Sequence, residues 1–134
     1  MRYKEFGKTG KKVSVLGLGA MRFDPSQEAT AIETVHAAVE AGINYIDTAP
    51  TYCDDKSEEF IGNALHELPA RIEKNIFIST KSNIHQDPSS DDVRRRIDGQ
   101  LKRLHRDNID FYNMWCLMDR SEEHTSELQS PLCI

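Results

Sequence analysis

An apolar run in "NYIDTAPTYCD" (residues 44–54) ends on Asp47, and Tyr52 follows just beyond a proline. Lys81 closes a second apolar run, "IFISTK" (residues 76–81). An unperturbed phenol titrates near ~10, too high for easy proton exchange at neutral pH. A lysine ammonium within a few ångströms favours the phenolate. That ammonium, drawn out of water, needs a counter-ion of its own, and a carboxylate supplies one. Together, Asp47, Lys81 and Tyr52 would let a tyrosine act as general acid or base near neutrality. The proline and threonine between Asp47 and Tyr52 would shape a rigid turn that returns the phenol over the strand end. Singly, each residue has a plainer reading. Asp47 would cap a turn, Tyr52 would pack half-buried, and Lys81 would face solvent at a strand end. The chemical reading needs all of them in one place.

The elements that must position them follow from periodicity. "YKEFGKTGKKVS" reads as a hairpin around a Lys-Thr-Gly turn, and "VLGLGAM" as a short strand running into glycine. Asp24, Pro25 and Gln27 have the pattern of an N-cap, an N1 proline and a capping-box partner. Ile32, Val35, His36, Val39 and Ile43 then recur at helical spacing, with Gly42 as C-cap. Strand "INYIDTA" follows. Asp55 and Glu58 could box the start of a second helix carrying Ile61, Leu65 and Leu68, which Pro69 stops. After strand "IFISTK", a third helix opens near Ser89, where Asp91 and Asp92 suit the positive end of its dipole. Val93, Ile97, Leu101 and Leu104 make its apolar stripe, and Arg94, Arg95, Arg96, Lys102 and Arg103 read as a solvated outer face. Strand "IDFYNMW" closes the regular part. A hairpin followed by alternating strands and helices predicts an α/β fold with a parallel sheet. A doubly wound sheet and an incomplete (β/α)8 barrel both fit, and in either one the C-terminal ends of strands face the ligand crevice.

Composition bounds the function. The chain has 134 residues, too short for a complete (β/α)8 barrel of ~250. Its 17 basic and 22 acidic residues give a net charge of −5, so no nucleic-acid partner is expected. No apolar run approaches the ~20 residues of a membrane span, so no membrane partner is expected either. Cys53, Cys116 and Cys133 lie far apart, which favours reduced thiols in a cytoplasmic protein. Cys53 reads as a small apolar filler, Cys116 as core or pocket wall and His36 as a packing histidine. His66, His85 and His105 read as surface or loop residues. The five histidines show no paired ligand spacing, and no metal site is expected.

"GLGAM" after a hairpin, "AGINYIDTAPTY", "ISTKS" and "DNIDFY", in this order, resemble the N-terminal half of the aldo/keto reductases over residues 1–119. The resemblance implies a hairpin plus four parallel β/α units of an incomplete (β/α)8 barrel, from a family that reduces aldehydes and ketones with NADPH. It implies that Tyr52 is the acid, Lys81 its partner and Asp47 the group that orients Lys81. Gly19, Ala20, Met21 and Asp47 would border the nicotinamide. The family's fourth-strand histidine falls at Trp115, whose indole has one N–H donor and no proton exchange. Trp115 could hold a carbonyl oxygen or wall the pocket. The strands that hold adenosine and pyrophosphate belong to the family's second half, so the chain by itself is expected to be inactive. Open edges of its sheet would favour non-specific association. A barrel kept for binding, or a Schiff-base lyase using Lys81, are the rival readings. Residues 120–134, "RSEEHTSELQSPLCI", break the helical pattern and resemble a translated sequencing adapter; the alternative is a disordered terminus.

Overall fold

The computed structural model describes residues 1–83 and 85–116, so Cys133 and the adapter-like segment lie outside the described residues. An antiparallel hairpin, β1 (Tyr3–Glu5) and β2 (Lys12–Ser14), comes first. The rest alternates: β3 (Leu18–Gly19), α1 (Glu28–Glu40), β4 (Tyr45–Asp47), α2 (Ser57–His66), α3 (Ala70–Glu73), β5 (Phe77–Asn83), α4 (Ser90–Leu104) and β6 (Phe111–Trp115). The sheet is parallel and four-stranded, in the order β3-β4-β5-β6. Sequential order without a reversal excludes the doubly wound arrangement, whose ligand crevice needs a switch point.

Side chains alternate across the sheet, as strand geometry requires. Ile46 and Ile78 point to the helices and are fully buried among Val35, Ile61, Ala64, Leu65 and Leu104. Tyr45, Phe77 and Phe111 point the other way, and Phe6 of the hairpin turn packs on Tyr45 and Phe111 with ring centroids 5.7 and 4.4 Å away. Lys11 ties the hairpin down by an ion pair with Asp110 at 3.0 Å. Asn44 accepts from the Ser14 N–H at 2.7 Å. The hairpin therefore closes the N-terminal end of the strands and leaves the other end accessible.

Helix boundaries depart from expectation in instructive ways. The Asp24 carboxylate accepts from the Ser26 N–H and hydroxyl and from Gln27 Nε2, making a turn of its own before α1. Gln27 precedes that helix without a side-chain cap. The end of α1 is as expected: Gly42 has φ +89°, and the Gly42 and Ile43 N–H groups bond back to Val39 and Ala38. Asp55 and Glu58 form no capping box, because Glu58 turns inward. It is 1% exposed and accepts from Thr80 Oγ1 (2.7 Å), Gln100 Nε2 (3.0 Å) and the Arg103 guanidinium (2.7 and 2.9 Å). The basic face of α4 is correspondingly divided. Arg94, Arg95 and Lys102 are exposed, whereas Arg103 serves Glu58 and Arg96 pairs with buried Asp87 at 2.8 Å. Ser89 and Asp92 do form a capping box at its start.

Two predictions follow from this packing. A Cβ on Gly62 would lie 2.2 Å from the Arg103 carbonyl oxygen, so α2 and α4 can approach only over a glycine. Gly62→Ala should lower stability by about 2–3 kcal/mol in urea unfolding; an unchanged midpoint would contradict the contact. Burial works to raise the Asp87 carboxyl, but the Arg96 guanidinium and Ser82 hydroxyl outweigh it and hold the pKa below the usual carboxylate range. Its stabilising contribution is thus complete above the unfolded value near ~3.9 and disappears as pH falls through the lower folded value. Asp87→Asn should flatten the acid limb of a stability–pH curve; a limb of unaltered steepness would assign acid sensitivity elsewhere.

Candidate active site

The face of the sheet away from the helices changes character along the strands. Beyond Tyr45 and Phe77 come Asp47 and Ser79 with Phe111 in register, then Lys81 with Asn113, then Asn83 with Trp115. Register sets these levels, pairing Gly19 with Asp47, Asp47 with Ser79, Lys81 with Asn113 and Asn83 with Trp115. β5 runs past Lys81 to Asn83, so the lysine sits inside the strand rather than at its last residue.

Asp47 and Lys81 meet. The ammonium donates to Asp47 Oδ2 at 2.6 Å and to the Thr48 carbonyl at 2.8 Å, and its side chain is only 13% exposed. The other carboxylate oxygen accepts from Ser79 Oγ at 3.0 Å, and Ser79 in turn accepts from Asn113 Nδ2 at 2.9 Å. The Tyr52 ring covers the ammonium, with Nζ 5.0 Å from the ring centroid. Trp115 meets Tyr52 edge-on at 6.2 Å, which makes the indole a wall of the crevice. The side chains singled out by type thus converge on one spot.

The turn that carries Tyr52 is unusual. Cys53, Asp54 and Asp55 all have left-handed backbone, with φ of 55°, 53° and 67°. For residues with a Cβ this costs roughly 1–2 kcal/mol each, less for aspartate, so neighbouring bonds must hold it. Cys53 Sγ and Ser57 Oγ both donate to the Ala20 carbonyl, at 3.2 and 3.0 Å, and Lys56 Nζ donates to the Pro25 carbonyl at 3.0 Å. Burial pushes the Cys53 thiol up, which suits a hydrogen-bonded thiol rather than a reactive thiolate. Met21 is 48% exposed, and nothing lies within 4 Å of a Cβ built on Gly19, so both border open space. Ala20 is fully buried; its N–H donates to the Asp47 carbonyl at 2.9 Å and its own carbonyl is engaged by Cys53 and Ser57. It braces the site rather than presenting backbone to a ligand.

Ser79 and Asn113 are the members that sequence reasoning missed. Their signal was the period of two, which puts Ser79 on the same face as Lys81 and Asn113 on the same face as Trp115. Tyr45 lies on this face as well, and burial raises its phenol above the ordinary value despite the nearby Ser79 hydroxyl. His36 behaves as expected, its Nε2 2.8 Å from the Ala64 carbonyl. Among the described residues no cluster of His, Cys, Asp and Glu could hold a metal, and no helix is long and apolar enough to cross a membrane.

The profile of the Aldo/keto reductase family matches residues 15–123. The chain belongs to the aldo/keto reductase family. It is 32% identical over 126 residues to the aldo-keto reductase YhdN of Bacillus subtilis, an alignment covering 85% of this chain and 38% of that protein. Among solved structures it is similar to the thermostable aldo-keto reductase Tm1743, solved with the inhibitor epalrestat. There the TM-score is 0.77 at 32% identity, over 96% of this chain and 48% of the other. A Klebsiella pneumoniae aldo-keto reductase solved in complex with NADPH has the same fold, with a TM-score of 0.70 at 24% identity over 87% of this chain and 40% of that one. The aldo/keto reductase chain described here therefore spans less than half the length of these relatives, and its sheet is part of their barrel.

The strained turn yields a prediction. Asp55 is exposed and left-handed, and a glycine there would remove the steric cost. Asp55→Gly should raise stability by about 0.5–1 kcal/mol, read from the thermal midpoint; a lower midpoint would mean that the aspartate side chain holds the turn.

Proposed function

We propose that this segment is the catalytic-residue half of an oxidoreductase that reduces an aldehyde or ketone with NADPH. The observation that carries the reading is the Lys81–Asp47 ion pair at 2.6 Å with the Tyr52 ring over the ammonium. When bound, the nicotinamide supplies hydride to the carbonyl carbon. Tyr52 gives its proton to the carbonyl oxygen. The ammonium of Lys81 stabilises the negative charge that develops on the phenol oxygen as the proton leaves. Asp47 keeps the ammonium in place, and the Thr48 carbonyl accepts a second hydrogen bond from it. Trp115 excludes water from one side of Tyr52 and can offer its indole N–H to the substrate oxygen.

The chemistry of the donor set fits the nicotinamide end of the cofactor. Gly19, in register with Asp47, and the exposed Met21 border open space, with Ala20 as buried support. The chain spans less than half the length of its relatives, which supports the reading that the 134-residue chain alone binds NADPH weakly and does not turn over. Residues 1–119 form the reductase part in this reading, and the segment from 120 onward takes no role in it.

A barrel retained for binding is the competing reading, favoured by the tryptophan at 115. A Schiff-base role for Lys81 is disfavoured, because its nitrogen is committed as a donor to two oxygens. NADPH titration of the 134-residue chain, followed by nicotinamide fluorescence, should show no saturation at micromolar cofactor. In a protein carrying the remaining barrel strands, aldehydes should be reduced, and Tyr52→Phe should lower kcat by roughly 10²–10⁴-fold. Saturation in the first experiment, or full activity of the variant in the second, would contradict the reading.

A further inference from the structure

The polar side chains beside the ion pair form a directed chain. Asn113 Nδ2 donates to Ser79 Oγ at 2.9 Å, and Ser79 Oγ donates to Asp47 Oδ1 at 3.0 Å. Asp47 Oδ2 faces Lys81 Nζ. A hydroxyl has one proton and two lone pairs. An amide N–H of Asn113 occupies a lone pair of Ser79, which turns the serine proton toward the carboxylate. Ser79 is fully buried, and cross-strand register fixes every member: Asp47 opposite Ser79, and Lys81 opposite Asn113.

This arrangement is not a demand of the core. The same face turns apolar directly beside and below the carboxylate, with Phe111 in register with Ser79 and Tyr45 and Phe77 one level down. Polar residues begin where the carboxylate begins. The Asp47 side chain is still 35% exposed, so with Lys81 as its sole partner it could rotate toward water and draw the ammonium off Tyr52. A second donor on the opposite oxygen fixes the plane of the carboxylate.

We propose that Ser79 and Asn113 are positioning residues of the reductase site. They clamp the free oxygen of Asp47 so that Lys81 stays against the Tyr52 ring. The proposal rests on the reductase reading above for its consequence in catalysis, and on the geometry alone for its effect on Lys81.

The geometry is tested first, in the 134-residue chain. An ammonium clamped in an ion pair exchanges its protons with water slowly enough to give a lysine ¹H–¹⁵N signal at low temperature, and Lys81→Arg assigns it. Ser79→Ala and Asn113→Leu should speed that exchange roughly tenfold or erase the signal, while Ser79→Thr, which keeps the hydroxyl, restores it. An unchanged Lys81 signal in folded Ser79→Ala overturns the proposal. So does a signal that Ser79→Thr fails to restore while its thermal midpoint matches that of the parent.

In the protein with the remaining strands, Ser79→Ala should lower kcat roughly 10–100-fold with KM altered less than about twofold. A purely structural role would instead lower the thermal midpoint and leave kcat per folded molecule intact, which overturns the proposal. Tyr52→Phe serves as the control. Full turnover by Tyr52→Phe would remove the reductase reading and the catalytic role of the clamp with it. Loss of turnover by Tyr52→Phe with full kcat in Ser79→Ala would remove the clamp alone.

Discussion

A carboxylate and an ammonium 2.6 Å apart on adjacent parallel strands set the terms for everything around them. Two charges largely removed from water gain little net energy from their attraction unless their remaining hydrogen-bonding capacity is used. Here it is used: the ammonium also donates to the Thr48 carbonyl, and the carboxylate also accepts from Ser79. Such a pair is a poor device for stabilising a fold and a good one for holding a charge at a chosen point. The point chosen is beneath the Tyr52 ring.

The strand that carries the lysine explains how the rest of the molecule serves that point. In "FISTKSN" the odd positions Ser79 and Lys81 face the crevice, while Thr80 and Ser82 face α4. Thr80 binds Glu58 and Ser82 binds Asp87, so beyond Ile78, which packs in the apolar core, β5 lies between two polar layers. Gln100 of α4 donates to the Lys81 carbonyl at 2.9 Å, which fixes the backbone of the lysine from the helix side. The hairpin plugs the opposite end with Phe6 and Lys11. Glu58, Arg103 and Gln100 thus act on the site through the strand they brace, without touching the crevice.

Much of this was legible in the letters, for definite reasons. Strand alternation and the family-like order of "GLGAM", "IDTAPTY" and "ISTKS" were enough to bring Asp47, Tyr52 and Lys81 together. Gly42 marked the end of α1 because only its left-handed backbone completes that cap. Glu58 was misread because an acidic residue three positions after Asp55 looks the same whether it caps a helix or enters the core. Its partner Arg103 lies on another helix, and no local rule reveals that pairing. Asp24 failed similarly, since a turn and a cap use the same carboxylate. Helix α3 escapes the sequence pattern because Pro69 reads as a stop, although its φ of −55° also opens the next turn. Ser79 and Asn113 required register, which relates strands that are far apart in sequence.

The negative charge at position 47 holds the ammonium beneath Tyr52. The most direct test is the single-turnover rate of hydride transfer in the complete-barrel protein bearing Asp47→Asn, which keeps the shape but removes the charge and turns one of the two accepting oxygens into a donating amide. The account predicts a rate lowered by at least about tenfold with cofactor still bound, because the ammonium loses its anchor beneath Tyr52. A rate equal to that of the parent protein would contradict it.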